Sequence, residues 1–328
     1  MKTSWGKPVH VIGVCPTLLV TLSVGVCIAT LMGCGNKPEK DASPAADPIE
    51  TLRKAAEQGN ADAQYDFGVL YANGKGGVPK DHAEALKWFR KAAEQGHAQA
   101  QFDLVVPYAF GFGVPKDNAE AITWCRKAAE QGHAEAQAYL GRIYDKGDGV
   151  PKDAAEALKW FRKSAEQGDS YGQYKLGTMY ANGEGVPEDD AQAFVWFSVA
   201  AASGIMGAIE SCNELKRDLT PTQLEKGEAM ATEILEQVQM SYRKAAEQGD
   251  AAAQYKLAYC YFRGIGVADD NVAAYAWHSV AAAAGHEKAR GMLDVTKPML
   301  TASEVAKGEA MAREISKRIE KEKAARRQ

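Results

Sequence analysis

"AEAQAYLGRIYDKGDGVPKDAAEALKWFRKSAEQG", residues 134–168, decides how this chain folds. Ala136, Leu140, Gly141 and Tyr144 recur at helical spacing, which predicts an amphipathic helix over 134–146. Gly147 and Gly149 end it, and "GVPKD" forms a loop whose Asp153 is placed to cap a second helix. Glu156 follows three residues later, in the pattern of a capping box; Asp81/Glu84 and Asp117/Glu120 repeat the pairing. The second helix turns Ala157, Trp160, Phe161 and Ala165 inward and stops at Gly168, a residue suited to the left-handed conformation past a helix end.

The closing phrase recurs. "KAAEQG" stands at 54–59, 91–96, 127–132 and 244–249, and "KSAEQG" at 163–168. Its glycines, with Gly204, fall at 59, 96, 132, 168 and 204, and Trp88, Trp124, Trp160 and Trp196 keep a 36-residue step. A period in this range marks a stacked array, because one helix pair cannot bury its apolar face alone. The phrase therefore reads as a joint. Repeat two departs from the pattern: Val105 replaces the glycine of positions 68, 141 and 177, and Pro107 inside the helix predicts a kink.

A second periodicity has an offset of 81. "QYKL" at 173–176 returns at 254–257, "SVAAA" at 198–202 returns at 279–283, and "KGEAMA" at 226–231 returns at 307–312. Thr220-Pro221 opens a long helix expected over about 221–247. The organisation expected is a signal segment at 1–33, a tether at 34–48, an array with its closing segment at 49–238, and a duplicated module at 239–328. One continuous superhelix with a wider spacer is the alternative.

The Ala, Leu-Gly and Tyr positions of the first helix, the "GxGVPxD" loop and the Ala-Trp-Ala-Ala-Gly path of the second resemble the Sel-1-like repeat family, relatives of the tetratricopeptide repeats. The resemblance covers about 49–319 and implies an all-α fold, a right-handed α-solenoid of stacked helix pairs. It also implies that the first helices line a concave groove, where a protein or peptide partner docks.

The first residues look like an export address. Lys2 and Lys7 precede an apolar stretch with no charged residue until Lys37. An uncleaved anchor is the alternative, since the stretch is long enough to span a bilayer. "LMGC", residues 31–34, resembles the bacterial lipobox, which implies lipidation at Cys34 after cleavage behind Gly33. A polar Pro/Ala-rich tether follows. Gly35 rather than Asp implies, by resemblance to Gram-negative lipoproteins, a periplasm-facing outer-membrane location.

Composition argues against several chemistries. The net charge of −4 becomes −6 without Lys2 and Lys7, so nothing favours nucleic acid. Cys125, Cys212 and Cys260 form neither a disulfide framework nor a C-x-x-C pair and read as buried small residues. His97, His133 and His286 share a turn column whose repeat spacing is too wide for one metal ion, and they read, with His82 and His278, as structural. Some members of the family have been linked by name to β-lactamase activity. Ser241-Tyr242-Arg243-Lys244 matches S-x-x-K, but neither K-T-G nor S-D-N accompanies it. Neither a metal nor a cofactor is expected, and the chain reads as non-catalytic.

What varies between units is the better guide to function. Three columns of the first helix lie at i, i+3 and i+7 on one face: Asp66/Asp103/Tyr139/Lys175/Lys256, Val69/Val106/Arg142/Thr178/Tyr259 and Asn73/Phe110/Lys146/Asn182/Arg263. They predict a groove with an acidic end at Asp66 and Asp103 and a basic part at Arg142, Lys146 and Lys175. The leading expectation is a lipid-anchored scaffold for protein partners in the cell envelope. A groove-based enzyme or cell-wall-fragment binder, and a structural spacer, are the alternatives.

Overall fold

A computed structural model describes residues 47–326, and every regular element among them is helical. The expectations for the signal segment, Cys34 and most of the tether lie outside the described residues. The helix pairs are α2 (Ala61–Asn73) with α3 (His82–Glu94), α7 (Ala134–Lys146) with α8 (Ala154–Glu166), α9 (Ser170–Asn182) with α10 (Asp190–Ala202), and α13 (Ala251–Arg263) with α14 (Asn271–Ala283). In repeat two, α4 (Ala98–Asp103) and α5 (Val105–Phe110) together take the place of one helix and pair with α6 (Asn118–Glu130). α1 (Pro48–Glu57) precedes the stack; α11 (Met206–Leu215) and α12 (Pro221–Glu247) follow α10, as α15 (Glu287–Thr296) and α16 (Ala302–Arg326) follow α14. The result is an α-solenoid of stacked pairs. Among the described residues, no helix is long and apolar enough to cross a membrane.

The joint is held by glutamines as well as alanines. Gln64, Gln101, Gln137, Gln173 and Gln254 each donate from Nε2 to the carbonyl of an alanine in the preceding phrase (Ala56, Ala93, Ala129, Ala165 and Ala246) at 3.0–3.2 Å. The phrase's own glutamine closes the other side. Gln95, Gln131 and Gln167 donate to Oε1 of Gln64, Gln101 and Gln137 at 2.6–2.7 Å. One buried amide thus ties the helix before, its own helix and the helix after. The following glycine has φ between 83° and 95° at all five copies, a conformation that costs an L-residue with a side chain about 1–2 kcal/mol.

The predicted capping boxes form only by half. Asp117 and Asp153 accept from the amides of Glu120 and Glu156 at 3.0 Å, but those glutamates do not reach back. The reason lies in the preceding helix. The N–H groups of Asp81, Asp117 and Asp153 already donate to the carbonyls of Tyr71, Tyr108 and Tyr144 at 2.7–3.0 Å. Glu156 is free to take Lys159 and the Trp160 indole N–H instead. A reciprocal box does close at Thr220/Gln223, where no such carbonyl is available, and at Thr301/Glu304.

Helix pairs interlock by size. A Cβ added at Gly68, Gly141 or Gly177 would lie 2.8 Å from a ring carbon of Phe89, Phe161 or Phe197 respectively. Where the glycine is lost, the phenylalanine is lost too: repeat two has Val105 and Cys125 in these columns, and the last repeat has Ala258 and His278. Where a kink was expected, Pro107 divides the helix in two at Leu104; its missing N–H and its ring oppose the Asp103 carbonyl, where α4 ends.

The 81-residue offset recurs in the packing. A Cβ at Gly168 would meet Tyr242 and Val238 of α12, and one at Gly249 would meet Lys323 and Ile319 of α16. Gly227 packs on Phe194 as Gly308 packs on Tyr275. α12 runs unbroken through position 238 into the joint before α13. The solenoid also curls back on itself: Lys75, in the first repeat's loop, makes an ion pair with Glu287 at the start of α15.

Candidate functional site

The variable columns divide into committed and open residues. Asp103 is committed. Tyr65 Oη donates to its Oδ2 at 3.1 Å, and Gln99 Nε2 to its Oδ1 at 3.0 Å. Gln99 Oε1 in turn lies 2.9 Å from His133 Nε2. Because His133 Nδ1 accepts the Ala136 amide at 3.2 Å, its proton sits on Nε2, which fixes the direction of the chain. Burial pushes the Asp103 carboxyl up to about 7 despite these donors, and pushes Asp66, beside Asp62, up to about 6. Near neutral pH the predicted acidic end therefore loses charge at Asp103 and keeps most of it at Asp66.

The predicted basic part is partly neutralised as well. Lys175 pairs with Asp145 at 3.1 Å, and Arg142 with Asp148 at 3.7 Å, leaving Lys146 exposed. Val69 is fully buried in the core beneath the first pair, so it is not a groove residue; the helical face that carries it is wider than its apolar stripe suggests. Asn73 and Thr178 bond to carbonyls of their own helices, and Asn182 bonds to Glu184. Val106 is half-buried. Arg263 is exposed at the loop after α13, Tyr259 lies 6.5 Å from the Phe262 ring, and Lys256 sits over the Tyr242 ring at 5.4 Å.

Three predicted residues do come together. Phe110, Tyr139 and Arg142 line a cavity of about 380 Å³ between the loops of repeats two and three, with Lys116 and Ile122. The Arg142 guanidinium lies 4.3 Å from the Tyr139 ring. Phe110 and its neighbour Phe112 are 63% and 62% exposed and stack on each other with centroids 5.8 Å apart. Two large apolar rings in water without cover mark a contact surface rather than a core. The break at Leu104 allows this: α5 runs to Phe110, and Gly111 and Gly113, both with positive φ, carry the chain past Phe112. The sequence reading missed Phe112; a second phenylalanine across a loop glycine was the available signal.

The histidine column is structural at two places. His97 and His133 cap α4 and α7 by accepting the amides of Ala100 and Ala136, the same service that Asn60, Asp169 and Asp250 give. Their rings also cover Tyr65 and Phe102 of the preceding repeat, at 4.5 and 4.9 Å. His286 covers Tyr255 at 4.5 Å but makes no side-chain cap, and it lines a second cavity of about 290 Å³. Among the described residues, no group of three His, Cys, Asp or Glu could hold a metal ion. Cys125, Cys212 and Cys260 are buried and unpaired, and burial pushes the thiols of Cys125 and Cys260 up to about 12, which leaves them unreactive. Ser241 and Lys244 lie on the exposed side of α12.

A family model described as Sel1 repeat matches residues 52–60, 61–97, 98–133, 134–169, 170–205, 242–250 and 251–286, more than half of the chain. No curated protein matches it. Two solved structures are similar to it. One, a protective antigen of uropathogenic Escherichia coli displaying an SLR fold, is 32% identical over 85% of this chain with a TM-score of 0.49; the chain spans 66% of that protein's length. The other, a Sel1 repeat protein from Oxalobacter formigenes, is 32% identical, with 75% of this chain and 82% of that one covered and a TM-score of 0.44. The repeats that the family model matches meet at the glutamine joints of the solenoid, and the chain belongs to the Sel1 repeat family.

Proposed function

We propose that this chain is a non-catalytic scaffold that holds a protein or peptide partner on the face bearing Phe110, Tyr139 and Arg142. It does so in the cell envelope, anchored by lipid at Cys34. The observation that carries the reading is the stacked, exposed pair Phe110/Phe112, of which Phe110 lines the cavity with Tyr139 and Arg142. An aromatic anchor beside an arginine is the residue choice of energetic hot spots. The cavity between the rings and Arg142 suits an apolar side chain flanked by an acid, the arginine being partly shared with Asp148.

The test is capture of partners from native envelope fractions by the wild-type chain and by Phe110→Ser/Phe112→Ser, whose helicity is checked first. Both substitutions are at exposed sites, so the fold should stand. Partners held by the wild type and lost by the variant support the reading; equal capture by both, or turnover of a wall fragment by purified protein, overturns it. Anchoring is tested separately: Cys34→Ala should abolish lipid labelling and release the chain from membranes, and labelling that persists refutes it.

A further inference from the structure

The second loop residue after each first helix is a sensor of what lies over it. It is Lys75, Asp148 and Glu184 in repeats one, three and four, all exposed, and Ile265 in the last repeat, where it is buried. The difference lies in the helix on which each loop rests. A Cβ at Gly185 would collide with the backbone of Ala154, the first residue of α8, so that helix stops at the loop. Offset by 81, a Cβ at Gly266 would collide with the backbone of Leu235, which lies well inside α12 rather than at its start, Pro221. Where the helix stops at the loop the residue is charged and solvated; where the helix runs past the loop it is apolar and covered.

Repeat two combines the two cases. Its residue, Phe112, is apolar like Ile265 yet exposed, with Phe110 exposed beside it. Gly113 rests on Leu86 of α3, and α3 starts at His82, so it does not run past the loop as α12 does. The charge of this edge also differs from that of the later repeats. The column that holds Glu188 and Asp269 there holds Lys80, Lys116 and Lys152 in repeats one to three, all exposed. Lys116 lines the cavity with Phe110. Of the nearby acids, Asp117 is turned to the amide that it caps, and Asp148 lies 3.7 Å from Arg142.

We propose that Phe110 and Phe112 are covered by an amphipathic helix of a protein partner, apolar toward the two rings and acidic along the border that meets Lys116 and Lys152. It stands to Phe112 as the first half of α12 stands to Ile265. Such a helix docks through apolar anchors one turn apart. Successive repeats set the two lysines about 10 Å apart, and two turns of helix span that distance, so acids seven or eight residues apart meet both. The lysines select the sign of the partner more than they tighten it. The helix rests on the protein-binding reading and gives that partner a form and a charge.

The probe is the segment that supplies the precedent, residues 221–238, "PTQLEKGEAMATEILEQV", as an acetylated and amidated peptide. Calorimetric titration of the full chain with it should show binding. A peptide with Ala231→Pro, which breaks the helix, and one with its four glutamates changed to glutamine should each bind about fivefold or more weakly. In the chain, Phe112→Ser should weaken the unchanged peptide about tenfold or more. Lys116→Glu/Lys152→Glu should weaken it about fivefold and leave the glutamine peptide unaffected. No binding, equal binding of the proline peptide, or indifference to Phe112→Ser overturns the helix; indifference to the glutamates and the lysines overturns its acidic border. A Phe112-dependent dimer of the free chain in sedimentation, or Phe112-dependent flotation with phosphatidylglycerol vesicles, overturns the assignment in favour of a second copy or a lipid surface. Capture of envelope partners through Phe110 and Phe112 can persist while the peptide fails, and fail while the peptide binds, so the two readings are told apart.

Discussion

The glutamine ladder is incomplete at two rungs, and completing one should stabilise the protein. Gln254 Nε2 donates to the Ala246 carbonyl, but its Oε1 is buried without a partner. At the intact rungs that oxygen is served by the glutamine that caps the following helix; here Ala284 stands in its place. Ala284 has φ −76° and ψ 5°, close to the −77° and −1° of Gln131, so a glutamine side chain would leave the backbone in the same direction. A buried acceptor left unsatisfied costs about 1–3 kcal/mol. Ordering a glutamine recovers less than that, because it loses up to about 1.5–2 kcal/mol of rotamer freedom. That loss shrinks where the side chain also touches its own helix, as Gln167 does at the Lys163 carbonyl, 3.4 Å away. The expected net effect of Ala284→Gln is a gain of about 0.5–1.5 kcal/mol, or a few degrees in Tm. Urea denaturation followed by circular dichroism should show a higher midpoint with an unchanged slope. The control is the same change in a Gln254→Leu background, where the new amide finds no acceptor. A neutral or destabilising Ala284→Gln, or an equal gain in both backgrounds, refutes the reasoning. Ser203→Gln opposite Gln173 repeats the test at an independent rung.

Three further outcomes follow from the packing. Gly141→Val should cost about 1–3 kcal/mol by overpacking Phe161, and Phe161→Cys about 3 kcal/mol or more by leaving a cavity; combined, they recreate the Val105/Cys125 pair, and the double mutant should be more stable than the sum predicts by about 0.5–3 kcal/mol, a coupling that simple additivity would disprove. Gly168→Ala should destabilise far more than Gly59→Ala, because both strain a positive φ but only at 168 would a Cβ collide with Tyr242 of α12; equal midpoints for the two variants would show that α12 does not dock there. Burial, with His286 nearby, lowers the fully buried His278 imidazole to about 4, below an unfolded value of about 6.5. The native state thus favours the neutral ring, and the stability tied to it is complete above pH 6.5 and is lost as pH falls toward 4, by about 3 kcal/mol in all. The stability difference between wild type and His278→Phe, measured by urea denaturation across that window, should carry this slope; a flat difference contradicts it.

The stacking was legible in the sequence because its causes are local and repeated. The glycine that ends each phrase, the aspartate that starts each second helix and the proline that breaks repeat two each act within a few residues, and the helices fall where they direct. Contacts between units were harder to read. The Gln64-to-Gln95 bond joins residues of unlike role 31 positions apart, and only the geometry of packed helices shows that the phrase's glutamine reaches the first helix. The charge of the groove was misjudged for the same reason. Asp145 and Asp148 are unremarkable in the sequence, yet the fold sets them beside Lys175 and Arg142, while burial mutes Asp103. The curl that brings Lys75 to Glu287 is a sum of small rotations over the whole stack, and no single motif encodes it.

These differences bear on where function is to be sought. A repeat array is under one packing rule, and a unit that breaks the rule loses stability unless something local compensates. Repeat two breaks it with Val105, Pro107 and Cys125, and the size exchange between Val105 and Cys125 repairs the core but not the surface, where Phe110 and Phe112 are left in water. The last repeat breaks it with Ala258, His278, Ala284 and an uncapped His286; its core is again repaired, while Gln254 and His286 keep unanswered polar atoms. Both departures keep the core packed; the first leaves two aromatic rings in water, and the last leaves buried polar atoms without partners. Between the two departures α7 and α8 keep every feature of the joint, whereas the next pair loses one rung, at Gln173 and Ser203. The cavity that Phe110 lines takes its walls from irregular repeat two and regular repeat three, and because Phe110 and Phe112 are exposed, their replacement should alter binding while leaving the solenoid standing.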